Sequence, residues 1–396
     1  MTIKQLSFLC IINSLLSPAI LSLPHSFIKS GVYWSVIVIT LVSFLSVILN
    51  MMLIEIHCKA QHIISAQESG LDLTINIRSI FKSQEKIQQS PELTLLAENR
   101  TDTIQCLFLL FGKPLGCILS FLAFNIFIVI LTQSYITFAS TLTGLFPIKP
   151  LQPCQILSED LDLTPCRLLY ILYLCLFLIF QYNYLKNGLL FQGKMQVACS
   201  VYSTLTIILT IIACFSTIIL QTSFKSNLYR EVPDSQAYNL RKTTKILSNS
   251  CIFLMIQPQI GTIFQELNKP ENFVKQVIYG ILITTGLMVT LCFAVGLASD
   301  DALSNFTENF NGFTAGHNFE SRPLYAFLLS YGIMALPACL SMSSAGIMGY
   351  TAFSNFKSLL VVFNLNNPIY SSIISNTFTV LPFALACFCP DLVSFT

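Results

Sequence analysis

Residues 13–27 read NSLLSPAILSLPHSF and interrupt an apolar run that begins near Leu6. A helix that crosses lipid must satisfy its backbone hydrogen bonds internally. Pro18 and Pro24 each remove an amide donor and clash with the carbonyl four residues earlier. The stretch therefore predicts a membrane helix that is broken at mid-depth. A bilayer tolerates such a break only where it faces protein or a water-filled cavity.

The composition of the chain also indicates a membrane protein. Its 396 residues are 54% hydrophobic and 10% charged, with a mean hydropathy of +0.70, whereas soluble proteins carry about 25% charged residues. The net charge of +2 argues against a nucleic-acid partner. The first apolar run lacks the short core and the cleavage site of a signal peptide, so we expect it to remain as a span.

Nine segments of the chain are apolar over the roughly 20 residues that a spanning helix needs. They cover residues 6–28, 32–57, 104–140, 165–186, 195–221, 249–267, 271–298, 323–350 and 367–390. We expect a single all-α transmembrane domain over 1–396, a multi-pass protein of the plasma membrane or of an internal membrane. Residues 58–103 would form a cytoplasmic insertion, and 222–248 and 299–322 extracytoplasmic loops.

The distribution of basic residues between the loops gives little indication of how these spans are oriented in the membrane. With the N-terminus in the cytoplasm, eleven Lys and Arg fall in inner loops and nine in outer loops. This orientation would place the glycosylation sequon at Asn305 outside and the one at Asn99 inside. Cys154 and Cys166 share a polar loop, where they either form a disulfide or stay free.

A second interruption occurs in the sixth apolar segment, at Gln257-Pro258-Gln259-Ile260-Gly261. Two amides, a proline and a glycine at the centre of a span predict an unwound turn. Interrupted helices in corresponding halves of a transporter indicate a binding site between two inverted repeats. Breaks in spans one and six fit two repeats of five helices. The alternative is that the prolines are packing features, since Gly and Pro are common in membrane helices.

Three motifs carry a resemblance to a known family. Span one contributes Asn13, Ser17-Pro18-Ala19, Ile20-Leu21-Ser22-Leu23, Phe27 and Gly31, span three contributes Ser134-Tyr135, and span six contributes Gln257 through Leu267. In order and spacing these motifs resemble the amino acid/auxin permease family, which includes the sodium-coupled neutral amino acid transporters of the amino acid-polyamine-organocation superfamily. The resemblance implies a LeuT-type inverted-repeat helix bundle that binds a substrate between broken helices 1 and 6.

The resemblance also implies a set of site residues. The candidates are Asn13, Ser17, Ala19, Ile20, Tyr135, Gln257, Gln259 and Gly261. Amides near Ala19 and Ile20 would meet the carboxylate of an amino acid, and carbonyls near Gln257 and Gln259 would meet its ammonium group. Asn13 would either ligate a cation or substrate or bond neighbouring helices. Tyr135 would either gate the site or make an ordinary helix contact.

The chain departs from the family at several of these positions. Ser17-Pro18-Ala19 replaces the usual Gly-x-Gly, and Gln257 stands where relatives often have His. Ile333 and Ala335 stand where sodium-coupled relatives have hydroxyl residues, which weakens a sodium site. We therefore expect a secondary amino acid transporter that is coupled to protons or is sodium-independent. The alternative is a non-transporting amino-acid sensor of the same fold.

Other classes of function find no support in the sequence. Cys387 and Cys389 resemble half a metal site, but no histidine or second cysteine pair accompanies them. No catalytic pattern occurs either, so we expect no enzyme, no metal and no cofactor. The family has eleven spans and this sequence supplies nine, so helices 10 and 11 would be absent. The face that helix 10 covers would then contact lipid or a partner in an oligomer.

Overall fold

In the part of the chain that it describes, the computed structural model consists of helices joined by irregular segments. That part comprises residues 3–68, 103–146, 164–219, 243–254, 256–266, 272–298, 305–311, 313–315, 317, 322–363 and 368–389. Its α-helices are α1 (Ile3–Leu15), α2 (Leu23–Ser30), α3 (Val32–Glu68), α4 (Thr103–Leu145), α5 (Pro165–Phe191), α6 (Gly193–Ile219), α7 (Thr243–Phe253), α8 (Gln257–Glu266), α9 (Phe273–Ala298), α10 (Leu324–Val362) and α11 (Pro368–Phe388). Two 3-10 helices cover Pro18–Ser22 and Phe306–Phe310.

These helices supply the membrane spans that the sequence predicts. Within the described residues, eight helical segments are long and apolar enough to cross a bilayer, with α7 and α8 counted as one. A ninth consists of α1, the 3-10 helix Pro18–Ser22 and α2, and is bent by 44° at its break. The protein is therefore an all-α, multi-pass integral membrane protein, which confirms the predicted fold class.

The surface of the bundle is apolar, as lipid contact requires. On α3, Leu41 is 55% exposed and Phe44 is 64% exposed, whereas Ile39 on the opposite face is fully buried. Soluble monomers rarely expose contiguous apolar surface of this kind. One side of α3 thus packs against the bundle, and the other side is suited to the hydrocarbon core.

The long fourth helix contains a break that the sequence analysis did not predict. Gly112 has φ +75°, a conformation that side-chain-bearing residues rarely adopt, and it separates residues 103–111 from the rest of α4. Pro114, two residues later, cannot continue a helix from the preceding turn. The prediction of one continuous helical segment over 104–140 was therefore wrong. The membrane-spanning part is Phe111–Leu145.

All three of the predicted loops contain helix, and the loop 222–248 includes the start of α7 at Thr243. Span two was expected to end at residue 57, but α3 continues to Glu68, so the insertion begins with helix. Residues 69–102 lie outside the described part of the chain. The predicted loop 299–322 contains the 3-10 helix Phe306–Phe310. The membrane side of each loop stays a prediction.

The helices form two apolar cores that meet at α10. The first core collects buried side chains from both broken spans, α3, α6 and α9, and includes Ile20 and Ile260. The second collects α4, α5 and α11, and includes Leu131 and Phe378. Helix α10 supplies residues to both cores. The breaks of spans one and six therefore face α4 across a boundary between two separately packed units.

Candidate functional site

The break in span one is an extended residue followed by a tight helical turn. Helix α1 ends at Leu15, and Ser17 has φ −90° and ψ 166°, which is extended backbone. Pro18 then starts the 3-10 helix, where a missing amide costs least. The Ile20 amide donates to the Ser17 carbonyl at 3.1 Å. That amide is therefore already used and does not match the predicted role of a free donor to a carboxylate.

The break in span six is stabilised by a neighbouring helix. Helix α7 ends at Phe253 and α8 begins at Gln257. The Leu254 carbonyl accepts hydrogen bonds from the Ile256 amide and from Ser46 Oγ of α3, each at 3.0 Å. Irregular backbone at membrane depth needs such partners. Helix α3 thus supports an irregular turn between α7 and α8, around Leu254 and Ile256. The unwound turn was predicted at Gln257 to Gly261, which was wrong, because these residues form the start of α8. Pro258 is tolerated there because the first helical turn lacks internal partners for its amides.

A small cavity lies between the two breaks and α4. Its volume is about 40 Å³, and one water needs about 10–15 Å³ on this measure. The cavity is lined by Ser14, Ser17, Pro18, Ala19, Ile130, Gln133, Ser134, Ile252, Gln259, Ser344 and Met348. The lining includes both polar and apolar side chains, and none of them is ionisable. The cavity therefore suits a small ligand without net charge.

Three of the lining hydroxyls are anchored to their own helices. Ser14, Ser134 and Ser344 each donate to the carbonyl four residues earlier, at 2.8, 3.0 and 2.8 Å. Each hydroxyl hydrogen is thereby used, while oxygen lone pairs remain to accept from a ligand. These serines line the cavity as acceptors on three different spans.

Two other polar atoms of the lining have no hydrogen-bond partner among the described residues. They are Ser17 Oγ, at the break of span one, and Gln259 Oε1, in the first turn of α8 beside the break of span six. Gln259 holds its position through Nε2, which donates weakly to Met348 Sδ at 3.6 Å. An unsatisfied buried polar group costs about 1–3 kcal/mol. A ligand that bonds to both atoms would recover part of that cost.

The structure brings only part of the predicted site together. Ser17, Ala19 and Gln259 line the cavity, whereas Asn13, Ile20, Tyr135, Gln257 and Gly261 do not. Gln257 is half-buried at the first position of α8. Gly261 lies one turn further along, where an added Cβ would stand 2.7 Å from the ring of His57. Gly261 therefore permits close packing of α8 on α3.

Asn13 joins three helices. Its Nδ2 donates to the carbonyl of Gln196 at 2.8 Å and to Gln196 Oε1 at 2.6 Å. Gln196 Nε2 in turn donates to the Ser343 carbonyl of α10 at 3.0 Å. This arrangement favours the second interpretation of Asn13, an interhelical contact between α1, α6 and α10. Such contacts contribute about 0.6 kcal/mol each on average in membrane bundles.

Tyr135 belongs to the second apolar core. Its hydroxyl donates to the Thr379 carbonyl of α11 at 3.2 Å, and its ring meets Phe177 edge-on at 4.6 Å. The residues of α4 that line the cavity are Ile130, Gln133 and Ser134, on a different face. Of the two roles predicted for Tyr135, the structure therefore favours the ordinary helix contact over the gate.

Ser344 and Met348 are the cavity residues of span eight, and the sequence analysis missed both. Ile333 and Ala335, which stand where sodium-coupled relatives have hydroxyl residues, do not line the cavity, and Ile333 is fully buried in the first core. Small polar residues mark close helix contacts in membranes. The hydroxyl-rich stretch at residues 341–344 was the available signal for the true position.

Comparisons with known proteins leave the family open. No protein-family model matches this sequence. No curated protein matches it either. Among the described residues, no cluster of three or more His, Cys, Asp or Glu has the geometry of a metal site.

Proposed function

We propose that this protein is a secondary transporter that moves small neutral amino acids across a membrane by alternating access. The substrate would occupy the cavity between the breaks of spans one and six, within a LeuT-type inverted-repeat bundle. The observation that carries this proposal is the pair of unpartnered atoms, Ser17 Oγ and Gln259 Oε1, that face one cavity from both breaks.

The chemistry of the lining suits a zwitterion. The Gln259 oxygen can only accept, so it would take a hydrogen bond from the substrate ammonium group. Ser17 Oγ can donate, so it would bond to the carboxylate. No lining side chain carries a charge, which favours a ligand whose own charges cancel. Ile130, Ile252 and Met348 leave room for a small side chain only.

We propose that hydrogen bonds between helices close the cavity on its two sides. On the α2 side, Asn249 Nδ2 donates to Ser26 Oγ at 2.6 Å, and the 3-10 helix Phe306–Phe310 packs against the 3-10 helix of span one. On the α1 side, Asn13 bonds to Gln196. Alternating access requires each side to open without unfolding the bundle, which such limited closures favour.

The driving ion is proposed to be a proton or absent. The cavity has no carboxylate to offset the charge of a bound sodium ion. Ser344 does place one hydroxyl of span eight at the cavity, unlike Ile333 and Ala335, so sodium dependence requires direct measurement. Uptake should persist when choline replaces sodium. Strict sodium dependence would contradict this part of the proposal.

The test is uptake by the purified protein in lipid vesicles, with a panel of labelled amino acids. We expect uptake of glycine, alanine or serine and little uptake of charged or aromatic amino acids. Gln259→Ala removes one substrate hydrogen bond, worth about 1.4 kcal/mol, so kcat/KM should fall about tenfold. Tyr135→Phe is the matched control, since its hydroxyl bonds to α11, and it should transport like the parent.

Three outcomes distinguish the alternatives. Saturable uptake that Gln259→Ala weakens supports transport through this cavity. Binding of an amino acid without net flux would replace the transporter by a sensor of the same fold. Absence of both uptake and binding for the whole panel would overturn the proposal.

A further inference from the structure

The sequon Asn305-Phe306-Thr307 begins the 3-10 helix Phe306–Phe310. Asn305 Oδ1 accepts from the Thr307 amide at 3.2 Å and from Thr307 Oγ1 at 2.8 Å, so it caps this helix. Phe306 and Phe310 are fully buried and hold the helix on the bundle. Ser330 of α10 donates to the Phe310 carbonyl at 2.7 Å. The sequon thus lies at a fixed position beside the N-terminal end of α10.

The other atom of the Asn305 amide faces outward. Its Nδ2 donates only to Glu308 Oε1 at 3.4 Å among the bonds found for it, and Glu308 is exposed. Asparagine carries a glycan on Nδ2, while Oδ1 stays a carbonyl oxygen. The cap and the glycan would therefore use different atoms of the same side chain. A sugar on Nδ2 would extend past Glu308 without displacing a buried group.

A disulfide indicates which face of the membrane this is. Cys166, at the start of α5, is disulfide-bonded, as the sequence analysis allowed. Cys154, its expected partner, lies outside the described residues. Disulfides form and persist in oxidising compartments and are rare in the cytosol. The start of α5 therefore belongs to the extracytoplasmic face.

Asn305 lies on the same face as Cys166. Between them the chain crosses through α5, α6, the broken span α7–α8 and α9, which is four crossings and returns it to the original side. Direct contacts agree with this count. Tyr170 of α5 donates to the Ala386 carbonyl near the end of α11 at 3.1 Å, and α11 runs antiparallel to α10.

We propose that Asn305 is an N-glycosylation site on the extracytoplasmic face. In this modification an oligosaccharyltransferase moves a glycan from a lipid-linked oligosaccharide diphosphate to the protein. Nδ2 forms a bond to the anomeric carbon of the sugar as that carbon's bond to the diphosphate oxygen breaks. The amide loses one proton, and the lipid diphosphate leaves. This inference does not depend on transport activity.

The test is expression of the full chain in a eukaryotic cell, followed by digestion with peptide N-glycosidase F and gel electrophoresis. Most of the parent protein should gain mobility on digestion. Asn305→Asp keeps the oxygen that caps the 3-10 helix but cannot accept the glycan, so it should run at the digested position from the start. Thr307→Ser keeps the sequon and should behave like the parent.

Two further variants make the result specific. Asn311→Asp changes an asparagine of the same loop outside any sequon and should leave the shift intact. Asn99→Gln removes the second sequon and should also leave it intact, because that segment is expected in the cytoplasm. A parent chain whose mobility digestion does not change would overturn the proposal. If the mobility change on digestion survives in Asn305→Asp but disappears in Asn99→Gln, the proposal is wrong. The glycan would then be on Asn99, and the predicted orientation of the spans would be inverted.

Discussion

Asn249 and Ser26 join the two broken spans through a buried hydrogen bond of 2.6 Å. Asn249 lies on α7 and Ser26 on α2, so the bond connects the halves of spans one and six that lie on one side of the cavity. A polar contact of this kind contributes about 0.6 kcal/mol on average. It is strong enough to align the two halves and weak enough to break during the transport cycle that we propose.

Asn249→Ala should therefore open the α2 side of the cavity. We expect Ser17→Cys to react about threefold faster with a membrane-impermeant thiol reagent when Asn249→Ala is also present, as for the loss of a contact worth about 0.6 kcal/mol. Labelling of the protein without Ser17→Cys gives the background from native cysteines. Asn125→Ala is the control, because Asn125 bonds only to the Phe121 carbonyl of its own helix. If Ser17→Cys reacts at the same rate with and without Asn249→Ala, the bond between Asn249 and Ser26 does not close the cavity.

The contact between Asn13 and Gln196 should stabilise the protein without determining substrate affinity. In a double-mutant cycle with Asn13→Ala and Gln196→Ala, the coupling free energy of unfolding should be about 0.6 kcal/mol, as expected for the one hydrogen bond that joins the two side chains. Asn13→Ala should leave KM within about twofold of the parent, because Asn13 does not line the cavity. A large rise in KM with unchanged stability would instead indicate that Asn13 is a ligand of the substrate or of a cation.

Gly261→Ala should destabilise the contact between α8 and α3. The new Cβ would lie 2.7 and 2.8 Å from ring atoms of His57 and 3.0 Å from Thr103 Oγ1. Overpacking of this kind costs about 1–3 kcal/mol, so the thermal midpoint of the purified protein should fall. Gly332→Ala is the matched control on α10, since nothing lies within 4 Å of its added Cβ.

A second variant identifies the cause of that destabilisation. His57→Ala in the Gly261→Ala background removes the ring that the new methyl group would meet. It should restore part of the lost stability relative to Gly261→Ala alone. If Gly332→Ala lowers the midpoint as much as Gly261→Ala does, a general effect of glycine substitution is responsible and the packing explanation is wrong.

The spans and their breaks could be predicted from the sequence because both depend on local chemistry. A run of apolar residues identifies a span wherever its neighbours lie, and a proline removes an amide donor in any surroundings. Ser17-Pro18 therefore indicated the first discontinuity directly, whereas Gln257-Pro258 indicated the second only approximately, because these two residues begin α8 just after the break. The break at Gly112 was also accessible, since Gly112 and Pro114 are turn-forming residues only two positions apart, but the length of the apolar run concealed it.

Only the tertiary structure decided which side chains meet at the cavity. Each residue rotates a helix face by about 100°, so Ser134 lines the cavity while its neighbour Tyr135 packs against Phe177. A helix that is apolar on all sides carries little information about its own rotation. For that reason the sequence determined that spans one and six are broken, whereas the packing of α10 decided that Ser344, rather than Ile333, faces the break.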